Sequence, residues 1–209
     1  MEHKMASQAL KDFDDRIRQV QQLVDAHGAL VRLKKAEAAM ANGQAGLAQI
    51  KAVIDALVSP PQKGKPPEVQ ALNSAAIALL SAHLQGFVAD LFKEAAGRLL
   101  SSHVPNVEAL IGAAQLRGNP NEQNITKLFA AIGVLDVLAG ISWQKCSNQD
   151  LRKKLREFNE LRNRIVHGKA EVVHKKAVEI YMSVWNNFAI RLDEKVGNAI
   201  ASVTGSPAW

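Results

Sequence analysis

The sequence predicts an all-helical protein, on three observations. Alanine and leucine dominate its 209 residues while aromatic residues make up only 5%, a composition that favours helix over strand. No segment alternates apolar and polar residues for long enough to build a half-buried strand, whereas several repeat apolar residues at three- and four-residue steps. At 47% hydrophobic content the chain is long enough for one well-buried domain, and its length does not require two.

Taken in order, Leu10, Phe13, Ile17 and Val20 keep helical spacing, which starts a first helix near Ser7 with a possible interruption at Gly28. Residues Leu30 to Ala41 and Leu47 to Leu57 read as helical again, separated by the weak break Asn42 to Gly46. Residues 1–58 are thus expected to form a helical hairpin packed on the rest. The proline-rich stretch 59–67 cannot be helix and reads as a linker or loop. From Val69 to Leu100, the residues Ile77, Leu80, Leu84, Phe87 and Leu91 form a stripe that Leu79, Val88 and Phe92 widen, as on the central helix of a bundle. Residues 101–123 carry Pro105, Gly112, Gly118 and Pro120 and leave room for one short helix. Another runs from Asn124 to Ile132. Ser147, with an acid three residues on at Asp150, resembles an N-cap for the next helix. The last helix spans Val173 to Val203, with Val178, Tyr181, Val184, Trp185, Phe188 and Leu192 inward. The main bundle is expected over 68–203, with a tail at 204–209.

Several classes lose their usual support. The chain has no phosphate-binding loop of Walker type, no dinucleotide fingerprint and no H-E-x-x-H. The one cysteine, Cys146, cannot form an intrachain disulfide, which fits a reducing compartment. The N-terminus, with Glu2, Lys4, Lys11 and Asp12, lacks a signal-peptide core, and the best apolar run, Leu128 to Ile141, is broken by Asp136. A soluble cytoplasmic protein is expected. His83, Asp90 and Glu94 share a stripe but span almost three turns, too far for one metal ion.

The net charge of +6 is concentrated. Between Lys145 and Lys176, ten Lys and Arg residues meet four acids, and the remainder of the chain holds sixteen of each sign. Inside this stretch lies Leu161-Arg162-Asn163-Arg164-Ile165-Val166-His167-Gly168. At about 100° per residue, Leu151, Leu155, Phe158, Leu161 and Ile165 form one stripe, and Arg162 falls within about 20° of Leu155. Arg162 is therefore expected to point inward, where a buried guanidinium needs an anion from a pocket or a subunit interface. A phosphate would serve. On a continued helix His167 would lie about 140° from Arg162; Gly168, by taking the left-handed cap conformation, would let it swing beside the arginine. An imidazole moves protons near neutral pH and an arginine holds phosphate oxygens, so the pair in a basic patch suits a polyanion.

Arg162 to His167 resembles the R-N-x-x-x-H motif of the HEPN superfamily of helical-bundle ribonucleases. Ala82 to Phe92 is similar to that superfamily's central helix, and Asn119-Pro120-Asn121-Glu122-Gln123-Asn124 is similar to a segment preceding the motif helix in the RiboL-PSP-HEPN branch. The resemblance covers roughly residues 70 to 190. It implies an all-α, HEPN-type antiparallel helical bundle with an N-terminal helical extension. It further implies a metal-independent endoribonuclease with no cofactor, often a toxin or defence effector, whose homodimer brings two motifs to one cleft through the motif helix. His167 would transfer protons, Arg162 would stabilise the phosphorane-like transition state, and Asn163 would orient neighbours or substrate. Products would carry 2′,3′-cyclic phosphate and 5′-hydroxyl ends. Arg164, Lys169, Arg156 and Lys153 are the cations expected to meet RNA, and an antitoxin or regulatory protein is a further expected partner. Two departures stand out. Gln85 replaces a frequent glutamate, and Lys169 stands where a subset of the superfamily carries a tyrosine that a partner modifies. The competing class is a non-catalytic helical module that binds RNA or protein through the same surface.

Overall fold

The computed structural model describes residues 6–41, 67–100, 106–114, 118–169 and 171–209. Among them lie α1 (Gln8–Ala41), α2 (Pro67–Leu100), α3 (Val107–Ala113), α4 (Glu122–Ala130), α5 (Asn148–Val166) and α6 (Lys175–Thr204). The described residues contain no strand, only an isolated antiparallel bridge between Trp143 and Cys146. The all-helical fold expected from the sequence is the one observed among the described residues. The expected helix Leu47 to Leu57 and the loop 59–66 lie outside the described residues.

Helix α2 is the hub, packing against α1, α3, α4, α5 and α6. Its apolar residues run well around the cylinder: Ile77, Leu80, Leu84, Phe87, Val88 and Leu91 are all fully buried. By length and composition Gln70–Leu100, rather than Leu128 to Ile141, is the segment that could cross a membrane. A helix covered on several sides needs the same composition. It begins at Pro67, which the linker expectation had included; a proline fits the first helical position because its missing N–H would have no intrahelical partner.

Helix α1 is continuous through Gly28, where an interruption was expected. Tertiary contact overrides the glycine's weak propensity here. His27 Nδ1 lies 2.6 Å from Asn73 Oδ1, and Asn73 Nδ2 donates to the Val173 carbonyl at 2.8 Å, so a buried polar chain ties α1, α2 and the approach to α6. Farther along, Arg16 crosses α2 above Gly86 and pairs with Asp90 at 3.3 Å. Glu94 accepts hydrogen bonds from the Gln8 and Ala9 amides at 3.0 and 2.6 Å, satisfying donors that the start of α1 leaves unpaired. Asp90 and Glu94 thus hold a helix in place.

The C-terminal tail is packed. Trp209 lies against Gly197 and Ala208 is buried. Asp193 of α6 is buried beside them at 3% exposure. Burial raises its carboxyl pKa, opposed in part by hydrogen bonding from Ser7 and Trp209.

Candidate active site

Helix α5 begins as its sequence predicts. Ser147 accepts from the Asp150 amide, and the Asp150 carboxylate accepts from the Ser147 amide at 3.1 Å, a complete capping box. Its apolar stripe is buried through Leu151, Leu155, Phe158 and Leu161. The Phe158 ring seats on Tyr181 and Trp185 of α6, with centroids 4.8 and 5.0 Å away, which fixes the rotation of the helix. Arg152 anchors the first turns of α5: its Nε donates to Asn148 Oδ1 at 2.9 Å, and its guanidinium pairs with Glu122 of α4 and with Asp136.

Toward its C-terminus α5 runs out from under its neighbours. Ile165 is only partly buried, and Val166, His167 and Gly168 are exposed. Arg162 is half-buried rather than turned into the core, because the packed stripe tapers at this turn. Its Nη1 donates to Asn163 Oδ1 at 3.2 Å, and no carboxylate among the described residues pairs with it. Asn163 Oδ1 also accepts from Asn119 Nδ2 at 2.9 Å, so one amide oxygen joins the motif to the loop before α4. That loop is itself built by asparagines. Asn121 caps α4 by accepting from the Asn124 amide at 2.8 Å, and Asn124 Nδ2 donates to the Asn119 carbonyl at 2.9 Å. One turn back on α5, buried Asn159 donates to Leu155 O at 2.8 Å and to Pro120 O at 3.4 Å. Asn119 and Asn159 are the residues sequence reasoning missed. The signal for Asn159 was its place four residues before Asn163 on one helix, where asparagine is a poor helix former unless its side chain is employed; Asn119, in a loop, gave no such signal.

The helix ends in a Schellman cap. Gly168 N–H donates to Ile165 O at 3.1 Å and Lys169 N–H to Arg164 O at 2.9 Å, with Gly168 at φ +68° as the left-handed cap requires. His167, at φ −85° and ψ 14°, stays near the helical path because its amide remains bonded to Asn163 O. The glycine therefore does not swing His167 beside Arg162, as the sequence had suggested. Within one chain the imidazole leaves the cap into solvent, and its ring makes no hydrogen bond among the described residues.

The surrounding cations divide. Arg164 is engaged: its Nε donates to Glu171 at 2.7 Å, strapping the loop that follows the motif. Lys153 pairs with Glu157 at 3.7 Å, while Arg156 and Lys169 are exposed. Among the described residues no group of His, Cys, Asp and Glu is arranged to hold a metal ion. His83, on the polar stripe of α2, has its pKa lowered by burial and by nearby Arg16. The buried Cys146 thiol is pushed up, chiefly by burial, away from nucleophilic use.

A profile of the family described as RiboL-PSP-HEPN matches residues 47–198, a span that reaches upstream of the proline-rich stretch and through most of α6. Comparison with curated proteins and with solved structures gives no match.

Proposed function

Because the chain belongs to the RiboL-PSP-HEPN family, a family generally associated with ribonucleases, we propose that it is a metal-independent endoribonuclease whose motif lies at the end of α5. The observation that carries this reading is the combination at one helix end: an imidazole presented to solvent by a glycine cap, little more than one turn from an arginine that no carboxylate among the described residues neutralises. An arginine with no carboxylate partner among the described residues is available for a phosphate. Asn163, held by Asn119, positions that guanidinium.

In the proposed reaction His167 accepts the proton of a ribose 2′-hydroxyl as its oxygen attacks the adjacent phosphorus. Arg162 stabilises the charge on the phosphorane-like transition state. The bond to the 5′-oxygen then breaks, and the proton taken up by His167 is returned to that oxygen, giving 2′,3′-cyclic phosphate and 5′-hydroxyl ends and restoring the neutral imidazole. Since Arg162 and His167 of one chain point in different directions, we place the complete site in a homodimer formed through α5. Exposed Val166 and Val172, at 51% and 56%, supply apolar surface beside it. The setting we favour is a cytoplasmic toxin or defence effector restrained by an antitoxin or regulatory protein.

The test is incubation of a mixed tRNA and mRNA pool with purified protein in EDTA, wild type beside His167→Ala. Cleavage by the wild type alone supports the proposal. No cleavage by folded wild-type dimers would favour a non-catalytic binding module.

A further inference from the structure

The cations between Lys145 and Lys176 do not all face the motif. Three that form no ion pair among the described residues, Lys145, Lys154 and Lys176, line a separate furrow of about 650 Å³ between the Trp143–Cys146 turn, the first half of α5 and the outer face of α6. Neither Arg162 nor His167 lines it, and neither do Lys153, Arg156 or Lys169. The half-buried Trp143, exposed Ile180 and Asn187 line the same furrow as the three lysines. The other charged groups on its walls are already committed. Glu179 pairs with Lys175 at 3.6 Å, and Arg191 with Glu194 at 2.9 Å. Lys145 is held at φ +71°, a left-handed conformation that a lysine adopts at a cost. The two hydrogen bonds between Trp143 and Cys146, 3.0 and 2.9 Å, hold the turn closed around it.

We propose that this furrow binds single-stranded RNA, carrying the nucleotides that flank the cleaved phosphate; the proposal rests on the ribonuclease reading for its choice of substrate. Ammonium groups spaced along a channel track successive phosphates, and an aromatic face between them accepts a base by stacking, a combination that suits single strands. The volume falls in the range of ligand clefts, about 300–1,000 Å³. A duplex keeps its bases stacked inside and would meet the lysines without reaching Trp143. Lysines act as point charges without the bidentate geometry of arginine, so the furrow grips backbone with little sequence preference.

The experiment measures binding without cleavage, using His167→Ala protein and a fluorescent twelve-nucleotide oligouridine in a salt series. Adding Lys145→Ala and Lys176→Ala is expected to weaken binding about tenfold and to flatten the slope of log affinity against log salt by about 1.4, two phosphate contacts at about 0.7 each. Both lysines are exposed, and an unchanged melting temperature verifies the fold. A blunt RNA duplex is expected to bind at least tenfold more weakly than the single strand. Unchanged affinity and slope in the double variant would overturn the proposal, as would displacement of the RNA by polyglutamate at equal charge concentration. Wild-type protein that cuts no RNA, beside a His167→Ala protein whose RNA binding needs these lysines, would sink the ribonuclease reading and leave the furrow standing.

Discussion

His167 and Asp193 are two titratable groups with opposite surroundings, and substitution should separate them. His167 is exposed and makes no side-chain bond among the described residues, so His167→Ala should leave the melting temperature unchanged while lowering cleavage at least about 100-fold, the ordinary contribution of a proton-transfer group. Asp193 is buried, with a raised pKa. The folded state therefore holds its proton to higher pH than the unfolded chain. Stability from this group is fully present below the unfolded pKa and is lost as pH rises through the folded one. Asp193→Asn should accordingly raise the melting temperature at pH 7 and give no gain near pH 3; thermal melts across that range check it. The sequence placed Asp193 on the same long helix as the inward aromatic residues and gave no sign of its burial, because its cover comes from Ser7 and Trp209 at opposite ends of the chain. Arg162 was legible as an anomaly on an apolar stripe. Its half-buried position was not, since one helix cannot reveal where its neighbours stop.

Among the elements, α5 was the most legible because its signals are local. The capping box, the stripe from Leu151 to Leu161 and the glycine stop all lie within residues 147–168. Gly168→Ala should cost about 1 kcal/mol, since alanine resists the left-handed conformation, and should lower the melting temperature by about 2–4 °C. It should also reduce cleavage by loosening the cap that presents His167, which a combined melt and rate measurement reads directly. Less legible was the loop before α4. Asn119 to Asn124 carried the family resemblance, but their work is long-range: Asn119 reaches Asn163 and Pro120 meets Asn159. Gly28 misled for the same reason, because the contacts of α1 with α2 and α6 keep the helix intact across it. Asn163→Ala should release both the loop and the guanidinium. Slower cleavage at an unchanged far-ultraviolet circular dichroism spectrum is the expected outcome.

At the scale of the whole molecule, the all-helical class followed from composition and spacing, and the identity of α2 as the hub followed from its wide apolar surface. The charge concentration was visible too, but a linear count assigned all of it to the motif. Folding spends Arg152 on Glu122 and Asp136 and Arg164 on Glu171, and turns Lys145, Lys154 and Lys176 toward a different furrow. Self-association is the prediction that belongs here. Light scattering at micromolar concentration should give a dimer, and Arg162→Ala should leave that dimer formed while abolishing cleavage; loss of the dimer instead would assign the arginine to the interface.

The most direct test of the central claim is the requirement for the 2′-hydroxyl. A single RNA with a mapped cut site is offered in EDTA as all-ribose and as a copy with one 2′-deoxy nucleotide 5′ to the cut phosphate. The account predicts that the all-ribose strand is cut to a 2′,3′-cyclic phosphate and a 5′-hydroxyl, and that the deoxy strand is left whole at that site. Equal cleavage of the two strands, or 5′-phosphate ends, would contradict it.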